Sequence, residues 1–202
     1  MREVELKSVV PDYGATVRRL GTAGAAPVFA GRQEDRRYDS RDFALRARDH
    51  VLRLRVRRPA GGGATEASVD WKGPTAFDAG YKVREELSSG VADPDALAAI
   101  LARLGYVATL ELDRDIREYR FGGATLRFER YPRMDVLLEV EGDPAAIERA
   151  IEATGLPRGG FTTDRLSEFV ARYEARTGER AALSDRALRG DADAVPYSPA
   201  DA

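Results

Sequence analysis

Around residue 50 the chain alternates without a break: Val51-Leu52-Arg53-Leu54-Arg55-Val56-Arg57. Successive side chains of a β-strand point to opposite faces, so this run predicts a strand with Arg53, Arg55 and Arg57 on one face and apolar groups on the other. The pattern recurs along the chain. Glu3-Val4-Glu5-Leu6-Lys7 sets two carboxylates and an ammonium against Val4 and Leu6. The run from Ala67 sets Ser68, Asp70 and Lys72 against Val69 and Trp71, and that from Tyr81 places Lys82, Arg84 and Glu86 together. Further on, Thr125, Arg127 and Glu129 share a face, as do Leu137, Glu139 and Glu141. Any one row reads as a solvated strand face; the set, with two E-x-E rows and an R-x-R row, asks for a common explanation.

Between the strands lie helix signals. Asp93-Pro94 and Asp143-Pro144 each place an N-cap aspartate before a first-turn proline, with Leu97, Ile100, Leu101 and Leu104 following the first and Ile147 and Ile151 the second. Gly105 and Gly155 stop them, so a strand-then-helix unit recurs. An earlier helix carries Val17 and Leu20 and closes at Gly21 to Gly24; Val28 to Ala30 and Gln33 to Tyr38 read as short extended pieces before a turn at Asp39 and Asp42. A last helix, capped near Thr162 or Thr163, carries Leu166, Phe169, Val170 and Tyr173 at helical spacing. Gly61-Gly62-Gly63 and Gly122-Gly123 read as hairpin connections. Neither Gly61-Gly62-Gly63 nor Gly21-Thr22-Ala23-Gly24 has the context of a phosphate loop or dinucleotide fingerprint.

About eight half-apolar strands and several amphipathic helices have one consistent arrangement: apolar strand faces packed under helices, charged faces curved inward. The expected fold is α+β, an eight-stranded closed antiparallel β-barrel with a polar charged bore, flanked by amphipathic helices. One domain over 1–177 is expected, and the Ala, Asp, Arg and Pro content from Gly178 reads as a mobile tail over 178–202.

The absence of cysteine removes disulfides, thiolate catalysis and Cys-ligated zinc, and a lone histidine, His50, makes a Ser-His-Asp triad or multi-histidine metal site implausible. A net charge of -2 gives no general attraction to nucleic acid or anionic membrane. No apolar run has the roughly eighteen residues a membrane span needs, and no signal-peptide core follows Met1-Arg2-Glu3, so a soluble, cytoplasmic protein is expected.

A closed bore would hold Glu3, Glu5, Glu86, Glu129, Glu139 and Glu141 beside Lys7, Arg53, Arg55, Lys72, Lys82, Arg84 and Arg117. Buried charges are costly unless paired or bound to ions, so the set calls for an ionic ligand. The cations suit a polyphosphate. The carboxylates suit a hard divalent ion, Mg2+ or Mn2+, which takes oxygen ligands and bridges to phosphate.

In order and spacing these segments resemble the CYTH proteins, also called triphosphate tunnel metalloenzymes, which include class IV adenylate cyclases and thiamine triphosphatases. The resemblance runs from Glu3 to about Tyr173 and rests on Glu3-x-Glu5-x-Lys7, Gln33-Glu34-Asp35-x-x-Tyr38-Asp39, Leu52-Arg53-Leu54-Arg55, Trp71-Lys72-Gly73-Pro74, Arg84-x-Glu86, Glu129 and Glu139-Val140-Glu141. It implies that Glu3, Glu5, Glu139 and Glu141, assisted by Glu129, hold metal, while Lys7, Arg53, Arg55, Lys72, Arg84 and Arg117 grip triphosphate. The catalytic set would be Glu3, Glu5, Lys7, Glu139 and Glu141. The departure is Asp113-Arg114-Asp115-Ile116-Arg117, where either Arg114 or Arg117 is the phosphate ligand and the aspartates would weaken binding. The implied reaction is hydrolysis of inorganic triphosphate, thiamine triphosphate or ATP; the alternatives are ATP cyclisation to cyclic AMP and binding without turnover. A monomer or homodimer, with neither nucleic acid nor membrane as partner, is implied.

Overall fold

The computed structural model of the chain describes residues 2–79, 81–192, 194 and 195, without the side chains of residues 2 and 3. Its strands are β1 (Arg2–Val9), β2 (Ala26–Ser40), β3 (Val51–Pro59), β4 (Glu66–Lys72), β5 (Ala76–Asp78), β6 (Tyr81–Gly90), β7 (Tyr106–Phe121), β8 (Ala124–Arg130) and β9 (Leu137–Glu141). They form one antiparallel sheet in the order β1-β9-β8-β7-β2-β3-β4-β6-β5, and a further pairing of β1 with β6 closes eight of them into a barrel. Closure leaves no long open edge and forces every alternating strand to send one face inward. β5 continues the ladder of β4 along β6 after Gly73-Pro74-Thr75, with a one-residue shift in register.

The two short pieces expected before Asp39 are one long strand. β2 pairs with β7 from Ala26 to Ser40, and the register shift between Pro27 and Phe29 leaves Val28 as an extra residue, a bulge beside a proline that has no N–H to give the ladder. Farther along β2, a Cβ on Gly31 would lie 2.1 Å from the Arg58 carbonyl oxygen, so only glycine fits this close strand crossing.

The helices are α1 (Tyr13–Thr22), α2 (Pro94–Arg103), α3 (Pro144–Thr154), α4 (Leu166–Thr177) and α5 (Asp185–Arg189). Carboxylates of Asp93 and Asp143 accept from the backbone N–H of Ala96 and Ala146, and Pro94 and Pro144 occupy the first turns, as the sequence predicts; Asp12 caps α1 in the same way, accepting from Ala15 N–H. The main core lies outside the barrel: Leu6, Leu126, Phe128, Leu138 and Val140 pack against Leu20 of α1 and Ile147 and Ile151 of α3. Each large side chain there contributes roughly 1.5–3 kcal/mol.

A second core lies on the opposite face of the sheet. Leu110, Leu112, Tyr131 and Leu137, with Val9 packed against them, continue the inward face that carries the charged bore residues and meet Phe169 and Val170 of α4, a stopper on one side of the bore. That helix starts later than expected, after Arg165, because Thr162 exchanges two backbone hydrogen bonds of 2.8 Å with Lys7 on the β1 edge that β6 has left.

Part of the segment after Gly178, read from sequence as a mobile tail, packs against the barrel. Ala182 exchanges backbone hydrogen bonds with Arg133 at 2.8 and 3.1 Å, and the Leu183 carbonyl accepts from Asp113 N–H at 2.8 Å. Leu183 is buried in the second core, and α5 follows. Average composition concealed a short strap held by one apolar anchor and several ion pairs; the remainder of the expected tail, 196–202, lies outside the described residues. Among the described residues no helix is long and apolar enough to cross a membrane.

Candidate active site

The arginines of β3 face inward and find carboxylates. Arg55 grips Asp35 with two hydrogen bonds of 2.8 and 2.9 Å, and Arg53 holds Asp70 at 2.9 and 2.8 Å. Asp35 is 1% exposed and also meets Arg114 of β7. Burial pushes its carboxyl upward, but Arg55, Arg114 and Arg53 overcome this and hold it well below the usual range. Beside it, Gln33 is fully buried and, with its amide oxygen turned inward, accepts from Arg114 at 2.8 Å.

The facing wall is acidic. In the β1–β9 pair Glu5 stands opposite Glu141 and Lys7 opposite Glu139. Lys7 reaches Glu139 at 2.8 Å and Glu5 at 3.4 Å, while Lys82 of β6 reaches Glu5 at 2.5 Å. Burial alone would lower the Lys7 pKa, but Glu139, Glu5 and Glu129 outweigh it and raise it well above its ordinary value. Burial likewise opposes ionisation of Glu139, and Lys7 with Arg127 prevails, holding its carboxyl well below the ordinary range. Lys82 goes the other way: burial, aided by repulsion from Lys7 and Lys72, lowers its pKa despite Glu5. Glu129 accepts from Arg114 at 2.6 Å and from the Tyr131 hydroxyl at 2.9 Å, and Arg127 spans Glu139 at 2.8 Å and Glu118 at 3.2 Å.

Lys72 pairs with Glu86, and Arg84 donates to the carbonyls of Gly73 and Asp49 at 2.7 and 2.6 Å. These walls enclose a cavity of about 150 Å³, to which Arg37 also contributes. Burial, with Arg53 alongside, lowers the Arg37 pKa to about 10.

The bore therefore gathers Glu5, Lys7, Arg53, Arg55, Lys72, Lys82, Arg84, Glu129, Glu139 and Glu141, all expected from sequence. The Glu3 side chain lies outside the described residues; its backbone pairs opposite Arg84. Arg117 does not join them. On β7 the residues that share a face with Leu110 and Leu112 are Arg114, Ile116 and Glu118, so Arg117 stands on the outer face, exposed, beside an exterior cavity with Tyr13. The same parity carries Asp113 and Asp115 outward, where Asp113 meets Arg36 at 2.8 Å and the Asp185 N–H at 2.9 Å, and Asp115 lies 3.5 Å from Arg32. The aspartates expected to weaken anion binding are outside the bore.

Sequence reasoning gave no role to Asp35, Arg37, Arg127 or Tyr131. Their signal was parity: Gln33, Asp35 and Arg37 alternate on β2, and Arg127 alternates with Glu129 on β8. Among the described residues no three acidic or histidine side chains converge to hold a metal, since Glu5 and Glu139 are engaged with lysines. The donor chemistry still fits a hard cation: the wall offers oxygen ligands alone, and Glu5 and Glu141 are directly opposed across two strands.

The fold and this bore define a class of closed antiparallel barrels with an ion-paired interior. The profile of the CYTH domain family matches residues 1–153, and the chain belongs to that family. Solved structures share the fold. A Pyrococcus horikoshii OT3 protein has TM-score 0.69 at 22% identity, covering 84% of this chain and 98% of that one. An adenylate cyclase candidate from Vibrio parahaemolyticus has TM-score 0.69 at 18% identity, covering 84% and 97%. A Hippeastrum protein described as an adenylyl cyclase candidate with dominant triphosphatase activity has TM-score 0.61 at 16% identity, covering 90% and 99%. No curated protein matches the chain significantly.

Proposed function

We propose that the bore performs divalent-metal-dependent phosphoryl transfer on a triphosphate, with hydrolysis as the reaction. The observation that carries this reading is the meeting of a guanidinium and ammonium wall with a carboxylate wall inside one small cavity. Apolar residues would stabilise a barrel interior as well or better than buried ion pairs, so stability alone is a poor reason for this lining. A triphosphate with its cation carries the complementary charges: phosphate oxygens would meet Arg53, Arg55, Arg114, Lys72 and Arg84, and Glu5 and Glu139 would exchange Lys7 and Lys82 for the cation.

Glu5, Glu139 and Glu141, with Glu3 and Glu129, would hold the ion, magnesium or manganese, which would supply charge neutralisation and activation of an attacking water. Arg53 and Arg55 present paired N–H donors to phosphate oxygens and fix the chain's direction. Lys7 and Lys82, between the two walls, neutralise charge that develops as the terminal phosphoryl group transfers. The Hippeastrum protein's dominant triphosphatase activity supports hydrolysis over cyclisation.

The test is product analysis. Phosphate release from inorganic triphosphate, thiamine triphosphate and ATP, and cyclic AMP from ATP, are measured with magnesium and with manganese. Phosphate release without cyclic AMP is the expected result; cyclic AMP as main product establishes cyclisation, and binding without turnover of any substrate refutes both enzymatic readings.

A further inference from the structure

The bore opens into a second, larger space. Lys7, Arg37, Val51, Lys82, Arg84 and Leu166 line both the tunnel and a contiguous cavity of about 520 Å³ at the end where β2 passes to β3. The outer wall of this vestibule is the 41–50 segment and the start of α4, which bring Arg46, Arg48 and Arg165. Seven lining residues are Lys or Arg, against two carboxylates, Asp39 and Asp49.

Both carboxylates are occupied. Asp39 accepts from the backbone N–H of Ser40, Leu45 and Arg46 at 2.7, 2.9 and 2.9 Å and so pins the segment in place. Asp49 accepts from Thr75 N–H at 2.6 Å and sits 3.7 Å from Arg84 and 3.8 Å from Arg165. The exposed side chain of Arg48 makes no hydrogen bond or ion pair with any described residue. Of the rings lining the vestibule, Phe43 is covered by Arg46 at 4.0 Å and His50 packs edge-on against Trp71 at 5.2 Å, which leaves Tyr38. The lining thus carries an excess of cations over carboxylates, with the Arg48 guanidinium exposed toward it, and no opposed pair of rings to sandwich a base.

We propose that this vestibule receives the continuation of a phosphate chain, so that linear inorganic polyphosphates longer than three phosphates are preferred ligands. A triphosphate bearing a cationic organic group would be disfavoured there. The inference rests on the reading of the bore as a triphosphate site.

Arg48 supports no other contact, so Arg48→Glu tests the vestibule without unsettling the fold. KM and kcat are measured for tripolyphosphate and for medium-length linear polyphosphate, in wild type, Arg48→Glu and Arg48→Lys, at low and high salt. The expected result is a lower KM for the longer chain in wild type, a rise of about fivefold in that KM in Arg48→Glu, weaker still at high salt, and recovery in Arg48→Lys. Tripolyphosphate kinetics should stay within about twofold throughout. Equal KM values for the two substrates in wild type, or equal shifts for both in Arg48→Glu, would overturn the proposal. If neither substrate is turned over, the hydrolase reading fails, and calorimetry with the same ligands decides the vestibule separately. Selective loss of polyphosphate affinity in Arg48→Glu sustains it; unchanged affinity refutes it.

Discussion

Asp35 is the residue on which the bore's electrostatics turn, since it is buried between Arg55 and Arg114 and no solvent shares its charge. Removing one partner of a buried ion pair costs roughly 3–5 kcal/mol, and Asp35→Asn should destabilise the fold by that order at neutral pH. The pH dependence has a defined sign. A carboxyl whose folded pKa is depressed stabilises fully above the unfolded value, about 3.9, and the contribution fades as pH falls toward the folded pKa. Urea unfolding of wild type and Asp35→Asn across pH should therefore show a constant gap above about pH 4 that narrows below it; a gap that widens on acidification would contradict the assignment. The two β7 arginines give a second contrast. Arg114→Leu should lower triphosphate turnover at least about a hundredfold, whereas Arg117→Leu should leave it within about twofold, because only Arg114 stands in the bore. Equal losses in steady-state assays would show that the parity of β7 is misassigned.

At the scale of elements, the C-terminal strap and α4 act as a stopper. Leu183 is 3% exposed in the core that joins Leu110, Leu137 and Phe169, so Leu183→Ala should cost about 2–5 kcal/mol in chemical denaturation. A loss under about 0.5 kcal/mol, ordinary for surface sites, would mean that the strap is not docked. This element was the hardest to read from sequence. Its anchoring depends on a single leucine and on Asp113 meeting Arg36 and the N-terminus of α5, contacts between segments about seventy residues apart. Strand alternation, by contrast, is local: Arg53-Leu54-Arg55 and Glu139-Val140-Glu141 announced both strand and face. It fails where both parities carry charge, as from Asp113 to Arg117, because register against β2 and β8 then decides which face turns inward. Asp35 and Arg37 were similarly obscured by charged Glu34 and Arg36 on the other face.

For the whole molecule, a net charge of -2 conceals a densely charged interior, with β3, β4 and β7 bringing cations to the bore, β9 carboxylates, and β1, β2, β6 and β8 charges of both signs. The barrel keeps these walls within one lining, and ion pairs across it stand where ligand charges would go. A ligand binding only the folded barrel should raise its melting temperature; at a hundred times Kd the stabilisation is about 2.7 kcal/mol. Tripolyphosphate should give this shift with magnesium or manganese and a smaller one with chelator present. The most direct measurement is phosphate release from tripolyphosphate by wild type and Glu5→Gln at saturating metal, with melting curves confirming that both are folded. A metal-dependent wild-type rate that falls at least about a hundredfold in Glu5→Gln is predicted; a folded Glu5→Gln protein with wild-type turnover would contradict the carboxylate wall's role.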